Sequence, residues 1–271
     1  MKALNQHPHL VSGRGEHGGR EIHYFGSMRG AANATEYSLR FPLQGGDQPP
    51  RLSFDKSPDY MRSINSVRQM ATLLPAAKLI VLLRDPVDRA ISEFRHNCRH
   101  GRYVKAGSVV MLHDDFLSQN AASSLGASSP LSRSCSLEDM HLYYFGEQTQ
   151  LSPSLSPYAR KEASHGFYAQ QLEWILRNFP PKQVLLLFHE HMQQNLFATL
   201  ALIVSFLKIT PFVSNLLGPS SGTHKARTRF SHPQLKSQLS ELYQAHNLRL
   251  RELLLTEPQW RNLSTPSWIT I

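Results

Sequence analysis

Two short, continuously apolar segments constrain the fold of this 271-residue chain more than any other feature. Residues 78–83 read KLIVLL, and residues 183–188 read QVLLLF. Neither segment alternates apolar with polar residues, which is typical of strands that are covered on both faces of a parallel sheet. A helical pattern follows each segment, over residues 87–96 and 197–207. Strands that alternate with helices predict an α/β fold with a parallel sheet flanked by helices.

Two more helices are predicted, over residues 168–179 and 232–255. The first precedes the second strand and stops at a Pro-Pro pair, which cannot continue a helix. Residues 118–156 are rich in serine and contain several Ser-Pro steps, so we expect a long, flexible surface insertion there. The length allows one large domain or two small ones, and an apolar fraction of 41% indicates a globular chain. We expect a single domain over residues 1–271.

The charge of the chain restricts its partners only weakly. A formal net charge of +9 suits an acidic polysaccharide, a nucleic acid or an anionic lipid surface, although plain solubility explains it equally well. No stretch approaches the roughly 20 apolar residues that span a bilayer, and residues 1–10 lack the apolar core of a signal peptide. This pattern fits a cytosolic protein, and it fits a chain without its own N-terminus equally well.

The two cysteines, Cys98 and Cys135, exclude a disulfide scaffold and a cysteine-only zinc site. The spacing leaves open whether they form one bridge or stay as two thiols. Two glycosylation triplets begin at Asn33 and Asn262 and weakly favour a secretory route.

The first strand leads directly into the sharpest motif of the chain, LLRDPVDRAISEF over residues 82–94. Arg84 stands at the exit of the strand, where ligands bind in open α/β sheets. Ser92 shares a helix face with Asp88 and Arg89. An arginine fork with a serine hydroxyl near a helix start predicts a phosphate site. An Arg–Asp capping network without any ligand accounts for these residues equally well.

This motif resembles the 3′-phosphate-binding motif of sulfotransferases that use 3′-phosphoadenosine-5′-phosphosulfate (PAPS). The likeness is especially to the Golgi enzymes that sulfate heparan sulfate, the glucosamine 3-O-sulfotransferases and the N-sulfotransferase domain. It implies the sulfotransferase fold, a parallel sheet like that of P-loop NTPases, and it implies that Arg84 and Ser92 hold the 3′-phosphate. It also implies transfer of a sulfonyl group from PAPS to a hydroxyl or amine of an acidic, glycosaminoglycan-like polysaccharide, with no metal and no nucleic acid.

Two more segments continue the resemblance upstream. Residues 21–25, EIHYF, resemble a Glu-x-His-Phe-Phe segment, which implies Glu21 as the catalytic base and His23 as its support. A positioned carboxylate can take the proton that an attacking sugar hydroxyl loses. Residues 55–60, DKSPDY, resemble Glu-Lys-Thr-Pro-x-Tyr, which implies that Lys56 stabilises charge near the transferred group.

A basic loop upstream of His232-Pro233 resembles the loop that closes over the nucleotide in this family. Lys225 and Arg227 are therefore candidate cofactor-binding residues, although they are displaced from the family's offsets. A solvated basic loop explains them equally well.

The N-terminus departs from the family. Residues 4–8, LNQHP, match the end of a helix that should follow a first strand and a Gly-rich 5′-phosphosulfate loop. We therefore expect that strand, that loop and an upstream membrane anchor of a Golgi-lumenal protein to be missing. The chain is then either a fragment of an enzyme, which the surviving site residues favour, or a non-catalytic polysaccharide-binding relative.

Other hypotheses have less support in the sequence. A basic nucleic-acid-binding protein would need a recognition motif, and a nucleotide kinase would need a Walker-type loop; we find neither. His189-Glu190-His191 follows the second strand, where alternation would place both imidazoles on one side, but a third metal ligand is not obvious.

Overall fold

The computed structural model describes residues 2–15, 21–26, 32–42, 51–106, 109–112, 129–130, 135–145, 163–211 and 233–269. The α-helices, numbered in chain order, are α1 Lys2–Asn5, α2 Ala34–Ser38, α3 Ile64–Leu73, α4 Pro86–Arg99, α5 Leu137–Phe145, α6 Tyr168–Asn178, α7 His189–Gln194, α8 Leu196–Leu207 and α9 Pro233–Thr256. The strands are β1 Leu10–Ser12, β2 Leu52–Phe54, β3 Leu79–Leu83, β4 Tyr103–Ala106, β5 Val109–Leu112, β6 Ser129–Pro130 and β7 Val184–Phe188. Short 3₁₀ helices cover Tyr60–Arg62, Pro181–Gln183 and Ser267–Ile269.

The chain forms two compact units, each built from separate stretches of sequence. Unit 1 comprises Met1–Leu83, Ala169–Arg229 and Leu253–Pro266, and unit 2 comprises Arg84–Tyr168, Phe230–Glu252 and Ser267–Ile271. The chain thus passes from unit 1 to unit 2 directly after β3, within the motif that the sequence singled out.

The two predicted strands pair in parallel in unit 1. Strand β3 runs beside β7 from the pair Leu79 and Val184 to the pair Leu83 and Phe188. Parallel strands need a crossover between them, and the intervening sequence supplies it. The structure confirms the predicted α/β class with parallel strand pairing.

The burial of the two paired strands differs. All residues of β7 are buried except Leu185, which is half-buried. In β3, Val81 and Leu83 are buried, whereas Ile80 and Leu82 are 37% and 43% exposed. Successive side chains of a strand point to opposite faces, so one face of β3 is exposed. The prediction that both faces of this strand are covered is therefore wrong.

A second parallel pair in unit 1, β1 with β2, was not predicted. Its register runs from Leu10 and Leu52 to Ser12 and Phe54. Each strand has only three residues, which is too short to show a period of two in the sequence. The pair matters because β2 leads directly into the segment that contains Lys56.

Helix α8 packs its apolar side on β7. Leu200 and Ile203 form a buried cluster with Leu187 of the strand. The side chain of Asn195 caps the start of the helix by accepting a hydrogen bond from the backbone N–H of Ala198. The helix ends at Lys208, whose φ of 59° is left-handed, as is common at a C-terminal cap.

The core of unit 2 forms where three helices meet. Helix α4 contributes Val87, Ala90, Ile91 and Phe94, while α5 contributes Met140, Tyr143 and Tyr144, and α9 contributes Leu235, Leu239 and Tyr243. The apolar residues of α4 recur three and four positions apart, so they share one face of the helix. This packing fixes the helix that begins at the Arg84 motif.

Helix α5 lies within the segment that was predicted to be a flexible insertion. Residues 137–145 have a low helical periodicity because nearly every side of the helix carries an apolar or aromatic residue. Met140 and Tyr143 are almost completely buried. Outside this helix, the described part of residues 118–156 is limited to 129–130 and 135–136.

A disulfide bond joins Cys98 near the end of α4 to Cys135 just before α5, with a Cα–Cα distance of 6.0 Å. The structure therefore decides between the two alternatives that the sequence left open. The bond connects two of the three helices whose side chains form the core of unit 2.

Candidate active site

Three of the predicted site residues meet in unit 1. Lys56 lies two residues after β2, and its ammonium group donates a hydrogen bond to Oε1 of Glu21. The other carboxylate oxygen of Glu21 lies 3.0 Å from Nε2 of His23. One carboxylate thus contacts a lysine and a histidine at the same time. All three side chains are between 32% and 47% exposed, so the group is accessible to a substrate.

His23 is held in an unusual backbone conformation. Its φ of 50° is left-handed, which costs a non-glycine residue about 1 kcal/mol or more. Its backbone N–H donates to the hydroxyl of Ser57 at 3.0 Å, and its Nδ1 lies 3.3 Å from Asp59. The imidazole therefore has a carboxylate at each ring nitrogen, and this defines the orientation of the ring.

The environment of Glu21 favours its ionised form. Burial by itself would raise the pKa of the Glu21 carboxyl, but the hydrogen bond and charge of Lys56 and the charge of His23 lower it by more. The pKa of Glu21 therefore lies below the usual value for a glutamate. A carboxylate that is ionised at neutral pH can accept a proton.

The second group of predicted residues lies at the start of unit 2. The guanidinium of Arg84 is 3.9 Å from the carboxylate of Asp88, and Ser92 follows Asp88 by one helical turn on the same face. The Asp85 side chain caps α4 by accepting hydrogen bonds from the N–H groups of Val87 and Asp88. Because those two amides are used by the cap, an anion here would be held by the side chains of Arg84 and Ser92.

A buried polar network supports the same helix. Arg89 donates hydrogen bonds to Glu93 and to the hydroxyl of Tyr243, and His165 contacts Glu93 at 3.1 Å. Burial would lower the pKa of Arg89, but Tyr243 and Glu93 raise it by more. Arg89 is therefore a charged structural residue of unit 2, whereas Arg84 is one-third exposed.

Comparison with known proteins identifies the family. The family described as "Sulfotransferase domain" matches residues 43–238. The chain belongs to the sulfotransferase domain family. The matched residues include Lys56, Arg84 and Ser92, while Glu21 and His23 precede them.

Curated sulfotransferases resemble most of the chain. It is 28% identical to human "Bifunctional heparan sulfate N-deacetylase/N-sulfotransferase 2" over 92% of its length, and 26% identical to the protein of the same name from Bos taurus, also over 92%. In both alignments the chain spans 26% of the relative, about a quarter of that protein's length.

A solved sulfotransferase structure shares the fold. The crystal structure of the sulfotransferase from Alicyclobacillus acidocaldarius aligns with 96% of this chain and 92% of its own, with a TM-score of 0.59 and 18% sequence identity. The predicted sulfotransferase fold is therefore confirmed.

The two predicted cofactor-binding residues of the basic loop, Lys225 and Arg227, lie outside the described residues. The three residues of the His189-Glu190-His191 segment begin helix α7, so the expected strand alternation that would align the two imidazoles is wrong. Within the described ranges, no three His, Cys, Asp or Glu side chains form a group that could hold a metal ion. Over the same ranges, none of the helices has the length and apolarity to cross a membrane.

Three further residues that contact the site in unit 1 had no predicted role. Asp55, Ser57 and Tyr60 all belong to the DKSPDY segment, and their side chains hydrogen-bond to one another. The signal was present in the sequence, since these residues flank Lys56, but the backbone amides that Ser57 and Tyr60 bind lie far away in the chain.

Proposed function

We propose that this chain is a sulfotransferase that moves a sulfonyl group from PAPS to a hydroxyl or an amine of a glycosaminoglycan-like polysaccharide. In this proposal residues 1–271 act as one sulfotransferase domain. The observation that carries the proposal is the contact of Glu21 with both Lys56 and His23 in a member of the sulfotransferase domain family. An ionised carboxylate beside a cation is the arrangement that proton removal and charge stabilisation require.

In the proposed reaction, Glu21 is the general base. The acceptor oxygen or nitrogen forms a bond to sulfur while the bond between sulfur and the 5′-phosphate oxygen breaks, and that oxygen keeps the electron pair. Glu21 takes the proton that the acceptor loses. Its lowered pKa keeps the carboxylate free to do so at neutral pH.

Lys56 and His23 have supporting roles in this proposal. Lys56 keeps Glu21 ionised before reaction, and its ammonium is positioned to stabilise negative charge that develops on the transferred group and on the leaving oxygen. His23 holds the second carboxylate oxygen and so orients the base. Because Asp59 contacts the other ring nitrogen, the imidazole is fixed from both sides.

Arg84 and Ser92 are the proposed residues for the 3′-phosphate of the donor. A guanidinium offers paired N–H donors to phosphate oxygens, and a serine hydroxyl adds a third. The partial exposure of Arg84 and its long contact with Asp88 leave its donors available to an anion. The bound donor supplies an activated sulfonyl group, and Lys225 with Arg227 would help to hold it.

The acceptor and the compartment are also proposals. The curated relatives carry heparan sulfate in their names, and a net charge of +9 suits an acidic polysaccharide better than a neutral substrate. The proposal includes no nucleic-acid partner, since the sequence contains no nucleic-acid recognition motif. A Golgi-lumenal, membrane-anchored glycoprotein is consistent with the disulfide bond, since such bonds persist in oxidising compartments.

The donor site is tested by measuring the affinity of the chain for 3′-phosphoadenosine 5′-phosphate by calorimetry. We expect Arg84→Ala to weaken binding about tenfold to a hundredfold, because a charged hydrogen-bond donor to phosphate is lost. Arg177→Ala is the matched control, since Arg177 is 70% exposed and 3.8 Å from Glu173. Transfer of a radiolabelled sulfonyl group from PAPS to desulfated heparan sulfate then tests the reaction. No nucleotide binding and no transfer by the unmodified chain would overturn the proposal.

A further inference from the structure

We propose that Asp55 is a positioning residue for the segment of residues 21–24. Asp55 acts through the hydroxyl groups of Ser57 and Tyr60, which hold the backbone of that segment. The part of this inference that concerns catalysis rests on the proposed function, because Glu21 is a base only in that proposal. The hydrogen bonds themselves are independent of it.

The first layer of contacts surrounds the Asp55 carboxylate. Oδ1 accepts a hydrogen bond from the hydroxyl of Ser57 at 2.7 Å. Oδ2 accepts one from Tyr60 at 2.7 Å and one from Tyr37 at 3.2 Å. One carboxylate therefore receives three hydroxyl protons.

The second layer connects two of these hydroxyls to three consecutive backbone amides. The Ser57 oxygen accepts hydrogen bonds from the N–H of Ile22 at 3.1 Å and from the N–H of His23 at 3.0 Å. The Tyr60 oxygen accepts one from the N–H of Tyr24 at 2.8 Å. Hydrogen bonds thus connect the half-buried Asp55 carboxylate, through two hydroxyl groups, to the amides of all three residues 22–24.

The direction of these bonds requires an acceptor at position 55. A hydroxyl has one proton to donate and two lone pairs that can accept hydrogen bonds. The direction in which the proton is donated therefore decides which lone pairs face the backbone amides. Because the Asp55 carboxylate takes the protons of Ser57 and Tyr60, their lone pairs stay available to the backbone N–H groups. An asparagine would place an NH₂ donor against one of the two hydroxyls and reverse that bond.

Aromatic packing holds this arrangement in place. The ring of Phe25 lies 5.0 Å from Tyr37 and 5.1 Å from Tyr60, measured between centroids. All three rings are buried. Burial raises the pKa of Asp55, while the hydrogen bonds from Tyr60, Ser57 and Tyr37 lower it by less. Burial also raises the pKa values of Tyr37 and Tyr60, which keeps both hydroxyls as donors.

This network explains how His23 keeps its left-handed backbone. A φ of 50° is unfavourable for histidine and persists only where surrounding contacts enforce it. The bonds to the amides of Ile22, His23 and Tyr24 supply those contacts. The same segment carries Glu21 and His23, whose side chains contact each other.

Amide hydrogen exchange of the whole chain without substrates tests the positioning role directly. We expect Asp55→Asn to accelerate exchange of the amides of residues 22–24 about tenfold, whereas the amides of α8 stay as protected as before. Ser57→Ala should accelerate exchange at residues 22 and 23 without disturbing the aromatic packing. Ser57→Thr, which keeps a hydroxyl, should restore the protection.

Tyr37→Phe is the matched control. It removes a hydrogen bond to the same carboxylate, but Tyr37 makes none of the three bonds to the amides. We therefore expect Tyr37→Phe to leave exchange at residues 22–24 within about twofold of the unmodified chain. Unchanged protection in Asp55→Asn, or exchange that rises equally throughout unit 1, would overturn the inference.

Sulfonyl transfer by the same variants separates this inference from the proposed function. Since the geometry of the base is disturbed, kcat should fall about a hundredfold in Asp55→Asn while the KM for PAPS changes little. A full kcat in Asp55→Asn despite faster exchange would overturn the positioning role in catalysis. Accelerated exchange in a chain that has no transfer activity at all would support the network and overturn the proposed function.

Discussion

Lys56 and Glu21 form a direct hydrogen bond and ion pair although 35 residues separate them in the chain. The bond joins the segment that follows β2 to the loop that follows β1, and these two strands pair in parallel. Parallel strands end at the same edge of a sheet, so the two loops emerge side by side. The pairing of β1 with β2 therefore brings Glu21, the proposed base, next to Lys56, the proposed cation that stabilises charge.

Replacing the proposed base should separate binding from chemistry. In Glu21→Gln, the side chain keeps its size and cannot accept a proton, so we expect kcat to fall about a hundredfold to ten-thousandfold. Binding of 3′-phosphoadenosine 5′-phosphate by calorimetry should be unchanged. Glu241→Gln, on the exposed side of α9, is the control. A Glu21→Gln protein with more than a tenth of the original kcat would show that Glu21 is not the base.

Removing the lysine should shift the titration of Glu21. The pKa of Glu21 is lowered from the usual 4.5, so its ionised form stabilises the fold above that pH, and this contribution is lost as the pH falls through the folded-state pKa. In Lys56→Met, burial still raises the pKa of Glu21, but the hydrogen bond and the charge of Lys56 that lower it are lost. We therefore expect the pKa of Glu21 to rise, measured by NMR titration of its carboxyl carbon.

The same substitution should change the pH dependence of stability. In urea unfolding between pH 3 and pH 6, the loss of stability toward low pH should be smaller in Lys56→Met than in the unmodified chain. Lys182→Met removes a charge at an exposed position and is the control. An unshifted Glu21 carboxyl in Lys56→Met would contradict the ion pair.

Two ion pairs of equal spacing should differ in their effect on stability. Arg89 and Glu93 are 14% and 17% exposed, whereas Arg177 is 70% exposed beside Glu173. Because Arg89→Met leaves a buried carboxylate without its guanidinium, we expect a loss of about 3–5 kcal/mol in the free energy of unfolding. Arg177→Met should lose about 1 kcal/mol or less.

A double variant checks the cause of that loss. Arg89→Met combined with Glu93→Met removes both charges and should unfold at a higher urea concentration than Arg89→Met alone. If the double variant is the less stable of the two, the loss arises from packing around Tyr243 and not from an uncompensated charge.

Removing the disulfide bond should weaken unit 2. Cys98 and Cys135 are 37 residues apart, and closing a loop of this size contributes about 2–4 kcal/mol to stability. We expect the double variant Cys98→Ala with Cys135→Ala to show this loss in urea unfolding. A reducing agent should lower the stability of the unmodified chain by the same amount and leave the double variant unaffected. Equal stability of all samples would contradict the bond.

Local patterns in the sequence predicted six of the sixteen helices and strands in the described part of the chain, namely α4, α6, α8, α9, β3 and β7. The strand at residues 78–83 and the helix at residues 168–179 were predicted to within one residue of β3 and α6. Both signals depend on neighbouring residues, such as an apolar run or a Pro-Pro stop. The helix α5 was missed because its apolar residues surround it and give no clear period.

The sequence by itself determined the fold class and the strand that leads into the Arg84 motif, because these follow from patterns over a few residues, whereas Glu21, His23 and Lys56 became candidates through the resemblance of their segments to the sulfotransferase family. Only the tertiary structure decided that Lys56 contacts Glu21, that Cys98 is bonded to Cys135, and that Ser57, which donates to Asp55, accepts a hydrogen bond from the N–H of Ile22. Contacts between residues 35 or more positions apart depend on the path of the chain through the fold. No local periodicity encodes that path, since side-chain patterns report only on neighbours within a few residues.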